Sequence, residues 1–234
     1  MNFPDLADHR AIQRAAKDTI AYIRSVIEPG MALTEVRALC ERKLLELGAD
    51  SFWYYDVGAF VFAGDETALS VSGREYLTSD RVIAENDIVT IDLSPQKNGL
   101  WGDYARTVVL ENGLLKETTD IADPLWRDGL RMEELLHREM TAFATPDTTF
   151  EELYLHINRF IREHGWNNLD FLGNLGHSIV REKSDRIYIE KGNTCPLGEA
   201  GLFTFEPHIG IEGSPYGFKM ENIYYFAGGA PKEL

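Results

Sequence analysis

Four carboxylates and one imidazole stand in stretches where an ionisable group is costly. Asp92 ends the run Asp87-Ile88-Val89-Thr90-Ile91, and Asp103 follows Trp101-Gly102 and precedes the apolar Val108-Val109-Leu110. His177 follows Leu175-Gly176, Glu206 follows Phe203-Thr204-Phe205, and Glu221 follows Lys219-Met220. An acid inside an apolar strand is expensive to bury unless it is paired or holds a metal. Asp92 and Asp103 by themselves also fit a plainer reading, as hairpin ends facing water. With the three downstream residues they form a hard, oxygen-rich donor set, suited to Mn²⁺, Fe²⁺, Co²⁺ or Zn²⁺ rather than to a thiolate site. Four carboxylates around one pocket repel strongly unless about two divalent ions neutralise them.

Strands must carry these groups. The apolar runs bearing Asp92 and Asp103 flank a Lys97-Asn98-Gly99 turn, a hairpin signature. Eleven residues separate the two acids (103 − 92 = 11), so both can reach one face. Upstream, Ala11, Ile12, Ala15, Ala16, Ile20, Ile23 and Ile27 predict a helix over 6–27, stopped by Pro29-Gly30. Thr34 is the expected cap of a second helix that Gly48 ends. Phe52-Trp53-Tyr54-Tyr55 and Ala59-Phe60-Val61-Phe62 read as strand, their aromatics as core; 63–86 reads as a loop with a short strand at 68–71. Helices are expected over 123–143 and from Phe150 to Gly165, then strand patterns at 169–180, 185–190, 201–211 and 217–227. Aligning Pro29 with Pro146 (146 − 29 = 117) also aligns Glu35 with Glu152 and Gly48 with Gly165. Such an internal repeat predicts two similar halves, about 1–115 and 116–234, each giving two acids to one centre.

The ordered set Asp92, Asp103, His177, Glu206, Glu221 resembles the metal ligands of the pita-bread metallopeptidases, a family that holds methionine aminopeptidases, aminopeptidase P, prolidase and creatinase. The resemblance runs from about the first helix to the end of the chain. It implies an α+β pita-bread fold: a single catalytic domain over 1–234, with two pseudo-symmetric halves of helices around a curved antiparallel sheet. It implies two divalent ions per chain (Mn, Co, Fe or Zn). Asp103 and Glu221 would bridge them, Asp92 would chelate one, and His177 and Glu206 the other. Glu206 would be the general base in removing an N-terminal residue from a small peptide or amide. Met220-Glu221-Asn222-Ile223 resembles the prolidase and aminopeptidase P branch more than the methionine aminopeptidases, although the N-terminal domain usual in that branch is not expected here.

The family's two substrate-contacting histidines have no counterpart. Arg74 stands near one place and Lys183-Ser184 at the other, and no histidine occurs from 57 to 92 or from 178 to 185. Arg74, Lys183, Arg186 and His208 are the candidate substitutes. His208 is expected beside Glu206, since residues two apart on a strand share a face. His9, His137, His156 and His164 fall in helix patterns and are expected at the surface or at caps. This departure keeps open a second function class, a non-peptidase hydrolase or lyase of a small metabolite on the same metal site. A binding protein without turnover is disfavoured, because clustered acids without ions would be destabilising.

A net charge of −15 argues against a nucleic-acid surface and against docking on an anionic membrane. No run approaches the ~18 apolar residues of a membrane span, and Met1–Asp5 lacks the pattern of a signal peptide. Cys40 and Cys195 occupy unrelated contexts, as expected of free thiols in a reducing cytoplasm. The sequence leaves the oligomeric state open, with a homodimer among the options.

Overall fold

Apolar residues three and four apart give each long helix one buried face. In α1 (Leu6–Val26) that face is Ile12, Ala15, Ala16, Ile20 and Ile23; in α2 (Leu33–Glu46) it is Leu33, Val36, Cys40 and Leu44. The pattern returns in α3 (Pro124–Phe143) and in α4 (Phe150–Glu163), where Phe150, Leu153, Ile157 and Ile161 are buried. The computed structural model describes residues 6–170 and 172–234, so the segment read for a signal peptide lies outside the described residues. Helices α2 and α4 each have 14 residues, and both ends differ by the repeat offset (150 − 33 = 117 and 163 − 46 = 117). Gly48 and Gly165 follow them at φ of +102° and +79°, the left-handed stop that glycine adopts without strain. Their starts differ. Thr149 and Glu152 form a reciprocal capping box on α4, whereas Ala32 precedes α2 and offers no side-chain cap. Thr34, the expected cap, is the second residue inside the helix.

Strands β1 (Ser51–Phe52), β2 (Ala59–Ala63), β3 (Asp87–Leu93), β4 (Pro95–Lys97), β5 (Leu100–Trp101), β6 (Tyr104–Glu111) and β7 (Leu114–Lys116) precede α3. Strands β8 (Asn167–Asn168), β9 (Leu202–Phe205), β10 (His208–Gly210), β11 (Gly217–Lys219), β12 (Asn222–Ala227) and β13 (Ala230–Glu233) follow α4. They hydrogen-bond as four small sheets, β2-β3-β6-β7, β1-β4-β5, β8-β10-β11 and β9-β12-β13. Every pairing among them is antiparallel.

The expected hairpin is β3 against β6, in register from Asp87↔Leu110 to Leu93↔Tyr104. Between them the chain leaves the sheet and makes a smaller β4–β5 hairpin around Asn98-Gly99, both at positive φ. Alternation along β3 sends Val89, Ile91 and Leu93 into a core with α1 and α2. Thr90 and Asp92, on the other face, line a central cavity. Residues 64–68 form a 3-10 turn, and no strand is found at 68–71. Among the described residues the patterns at 169–180 and 185–190 are not ladders either. Gly173 and Gly176 at positive φ interrupt the first, and single bridges, His177↔Tyr188 and Ser178↔Phe203, fasten what remains. Among the described residues no helix is long and apolar enough to cross a membrane.

The halves meet where β6 runs beside the β11–β12 segment. Glu221 donates its backbone N–H to Ala105 O at 3.0 Å. Thr107 Oγ1 accepts from Lys219 N at 2.9 Å and donates to Lys219 O at 3.1 Å. From the far side, His137 of α3 holds this segment. Its ring meets Met220 O at 3.0 Å and the Tyr224 hydroxyl at 2.8 Å. The expected surface position of His137 is thus corrected: it is 5% exposed, drawn inward by those two partners.

Burial lowers the His137 pKa to about 3, so the folded protein holds it neutral. An unfolded histidine takes up its proton near pH 6.5. Between those values the unfolded state binds more protons, so stability falls as pH falls, by up to about 1.4 kcal/mol per pH unit from this one group. In urea unfolding at pH 7 and pH 5, His137→Asn should start less stable than wild type but lose less on acidification. Equal losses in the two proteins would remove His137 from the acid response.

Candidate metal centre

Each of the five predicted residues is set by its backbone. Asp103 sits between β5 and β6, where α1 clamps it from both sides. Gln13 Oε1 accepts its N–H at 2.8 Å, and Gln13 Nε2 donates to its carbonyl at 2.7 Å. Glu206 follows β9 directly, and Glu221 fills the gap between β11 and β12. The arrangement of the first half, an acid at the end of β3 and one before its partner β6, recurs at β9 and β12. His177 is held by its neighbours in sequence and space. Its N–H donates to Thr204 Oγ1 at 3.0 Å, its carbonyl accepts from Thr204 N at 2.7 Å, and its Nδ1 meets Ser178 O at 3.0 Å. That last contact turns Nε2 toward the acids. Gly176 is required here, since a Cβ would lie 2.3 Å from Thr204 O.

Three of the five converge. Ligand atoms of Asp103, His177 and Glu221 lie within 4.8 Å of one another, and all three residues are buried. His177 Nε2 is 3.5 Å from Asp103 Oδ2 and 3.8 Å from Glu206 Oε1. Asp103 Oδ2 and both Glu221 oxygens are buried without a hydrogen-bond partner. Buried acceptors left unsatisfied are costly, and a divalent cation is what such a set of oxygens and one imidazole accepts. The residues present therefore fit a metal.

Asp92 and Glu206 are engaged otherwise. Lys219 Nζ lies 2.6 Å from Asp92 Oδ2 and 3.0 Å from Glu206 Oε2. Lysine is not a ligand type, so a search for ligands passes over it. The strand rule that pairs His208 with Glu206 reaches it, because Lys219 stands two residues before Glu221.

The protonation pattern follows from these distances. Burial pushes the Asp103 carboxyl up to about 7, opposed by His177. Burial, then Asp103, Glu206 and Asp92, hold Glu221 well above the ordinary carboxylate range. Glu206 goes the other way: burial would raise it, but Lys219 and His177 outweigh that and hold it low. His177 is raised, since Asp103 and Glu206 overcome the effect of burial.

The centre opens into a cavity of about 200 Å³ whose lining includes Trp53, Tyr54, Phe60, Phe62, Arg186 and His208. These four aromatics, expected in the core, form the cavity wall because the chain turns sharply after Trp53, with Tyr55 and Asp56 at positive φ. Trp53 stacks on Trp101 at 4.4 Å and meets the His177 ring edge-on at 5.4 Å. The Arg186 guanidinium lies over Trp53, Tyr54 and Tyr188 at 5.1, 5.5 and 5.4 Å. The structure separates the candidate substrate residues. Arg74 and Lys183 are exposed and both pack on the Tyr55 ring, outside the cavity lining. His208 is in the wall, but its Nε2 is taken by Thr67 O at 2.7 Å.

A model of metallopeptidase family M24 matches residues 7–227. An Xaa-Pro dipeptidase of Pyrococcus furiosus is 28% identical over 204 residues, covering 86% of this chain and 53% of the relative. The chain thus spans about half the length of that curated relative. The X-Pro aminopeptidase from Thermotoga maritima superposes with a TM-score of 0.82 at 21% identity, over 100% of this chain and 61% of that one. The methionine aminopeptidase from Rickettsia prowazekii gives 0.77 at 15% identity, over 100% and 97%. At these identities the likeness is one of fold, the α+β pita-bread fold expected from the sequence.

Unsatisfied acids make the ion-free centre a local weakness. Glu221→Gln should raise the stability of the chelator-treated protein by about 1–2 kcal/mol, because it removes a buried acid crowded by its own kind. The same change should abolish most of the stabilisation that wild type gains from Mn²⁺, which is about 2.7 kcal/mol for an ion at a hundred times its Kd. Denaturant curves with chelator and with Mn²⁺ measure both. A variant weaker than wild type in chelator would count against repulsion at this position.

Proposed function

The chain belongs to metallopeptidase family M24, and on that footing we propose that it is a metal-dependent hydrolase that removes the N-terminal residue from short peptides. The observation that carries this reading is the buried Asp103–His177–Glu221 cluster, with orphaned oxygens, of which Asp103 and His177 line an open cavity. Residues 1–234 are read as one catalytic domain. Asp103, His177 and Glu221 would hold one divalent ion, and Asp92 and Glu206 would extend the set to a second. When bound, such ions polarise a scissile carbonyl and acidify a water. Free Cys40 and Cys195 suit a reducing compartment such as the cytoplasm.

The protein's own groups supply the rest. Glu206, kept ionised by Lys219 and His177, is the acid able to accept a proton from water at neutral pH and return it to the leaving amine. Thr204 Oγ1, 3.3 Å from Glu206 Oε1, orients that carboxylate. The remaining acids favour a substrate amine, which restricts cleavage to the first residue. Arg186, held by three rings and without an acid partner among the described residues, is the cation placed to meet a carbonyl or carboxylate of the substrate.

A second reading, a hydrolase or lyase of a small non-peptide metabolite, rests on the absence of the family's two substrate histidines; Arg74 and Lys183, near their places, stand outside the cavity lining. A panel of short peptides, including Xaa-Pro and Met-Xaa, against N-acetylated controls separates the two. Cleavage confined to free-amine peptides is expected, and no cleavage by metal-loaded wild type would favour the second reading. Glu206→Gln should lower turnover on the order of 10²–10⁴-fold, the range for a general base, with circular dichroism unchanged. Near-wild-type turnover would remove Glu206 from that role.

A further inference from the structure

The five ligand candidates are not equivalent. Asp103, His177 and Glu221 face one another with free acceptor oxygens, while Asp92 and Glu206 share one ammonium. The Lys219 contact is built into the fold. Thr107 fixes its backbone on both sides, and the side chain is 17% exposed, so the ammonium is directed inward between two acids from the first half and the second.

We propose that the Lys219 ammonium stands in for one of the two ions, so that the centre loads unequally. One ion would enter at Asp103, His177 and Glu221, and a second only in competition with Lys219 for the oxygens of Asp92 and Glu206. This rests on the reading of these residues as metal ligands. A unit charge within hydrogen-bond distance of both carboxylates opposes any further cation there, and weakly hydrated surroundings strengthen the opposition. Lysine fits competition better than exclusion, because a compact charge on a flexible four-carbon stem can withdraw. Arginine, planar and multiply bonded, would not withdraw as readily.

The opposite role, in which Lys219 merely orients Asp92 and Glu206 as ligands, predicts the opposite sign. Removing an orienting cation weakens metal binding; removing a competing one strengthens it. Calorimetric titration of chelator-treated protein with Mn²⁺, backed by elemental analysis after desalting, reads the difference without reference to activity. Wild type should bind a first equivalent at least about tenfold more tightly than a second, a gap of about 1.4 kcal/mol. Lys219→Met should tighten the second step by about tenfold or more and carry two ions through desalting. Lys219→Arg should keep the weak second step. Two equal steps in wild type would overturn the proposal, as would a Lys219→Met second step that is unchanged or weaker. Should Lys219→Met not fold, Lys219→Gln and the wild-type isotherm carry the same decision. Failure of wild type and every variant to bind Mn²⁺ would instead overturn the proposed function, and this inference with it.

Discussion

Repulsion among four carboxylates brought to one seam is the constraint around which this molecule is arranged. Asp92 and Asp103 arrive from one half, Glu206 and Glu221 from the other, and the seam that joins the halves passes through them. Little of the holding is done by the acids themselves. Gln13 grips the backbone of Asp103, and Thr204 grips that of His177. Arg106 donates to the carbonyls of Ala105 and Glu221 and to Asn222 Oδ1. A scaffold that fixes main chain can tolerate side chains that would push each other apart. This is how a site can be made ready for cations at the expense of local stability.

The likeness of α2 and α4 does not explain the chemistry, which comes from where the first part of the chain and the second differ. Helices α2 and α4 repeat to the residue, yet Ala32 opens α2 without the capping box that Thr149 provides for α4. Around the centre, the first half supplies aspartates clamped close to the sheet. The second supplies longer glutamates, the only imidazole among the five residues, and Lys219. Two equal halves would give a site of four equivalent acids. The extra imidazole and ammonium break that equivalence, and an asymmetric centre can assign different tasks to chemically similar groups.

Asp92, Asp103, Glu206 and Glu221 are legible in the sequence because each is an acid where strand periodicity demands an apolar or neutral residue. The repeat was legible too, since Pro29, Gly48 and their counterparts punctuate the helices at one offset. The cavity wall was not. Trp53, Tyr54, Phe60 and Phe62 carry the composition of a core, and only the left-handed pair Tyr55-Asp56, invisible to hydrophobic pattern, turns them toward the site. His137 sits at helical spacing like a surface residue, but its partners, Met220 and Tyr224, lie more than 80 residues away, beyond the reach of local pattern. The stretch 169–190 reads as strand because its apolar residues alternate. Its glycines, however, spend the backbone on placing His177 rather than on a ladder.

Glu206 and Glu221 show how environment, not residue type, allots the acid–base roles. Glu206 follows β9 and Glu221 precedes its partner β12, in the same half. Glu221 is 1% exposed, ringed by Asp103, Glu206 and Asp92, and is driven toward its neutral form. Glu206 keeps a side chain 20% exposed at the cavity edge, has Lys219 at 3.0 Å, and stays ionised. The difference depends on strand register at β11. Successive side chains on a strand point to opposite faces, so a lysine displaced by one residue from 219 would leave the pocket altogether. Asp92 and Glu206 would then lose their shared cation, and Glu206 would keep His177 alone against the other acids. The capacity of this centre to hold one ready base beside its metal ligands therefore follows from the alternation that carries Lys219 and Glu221 onto the same face.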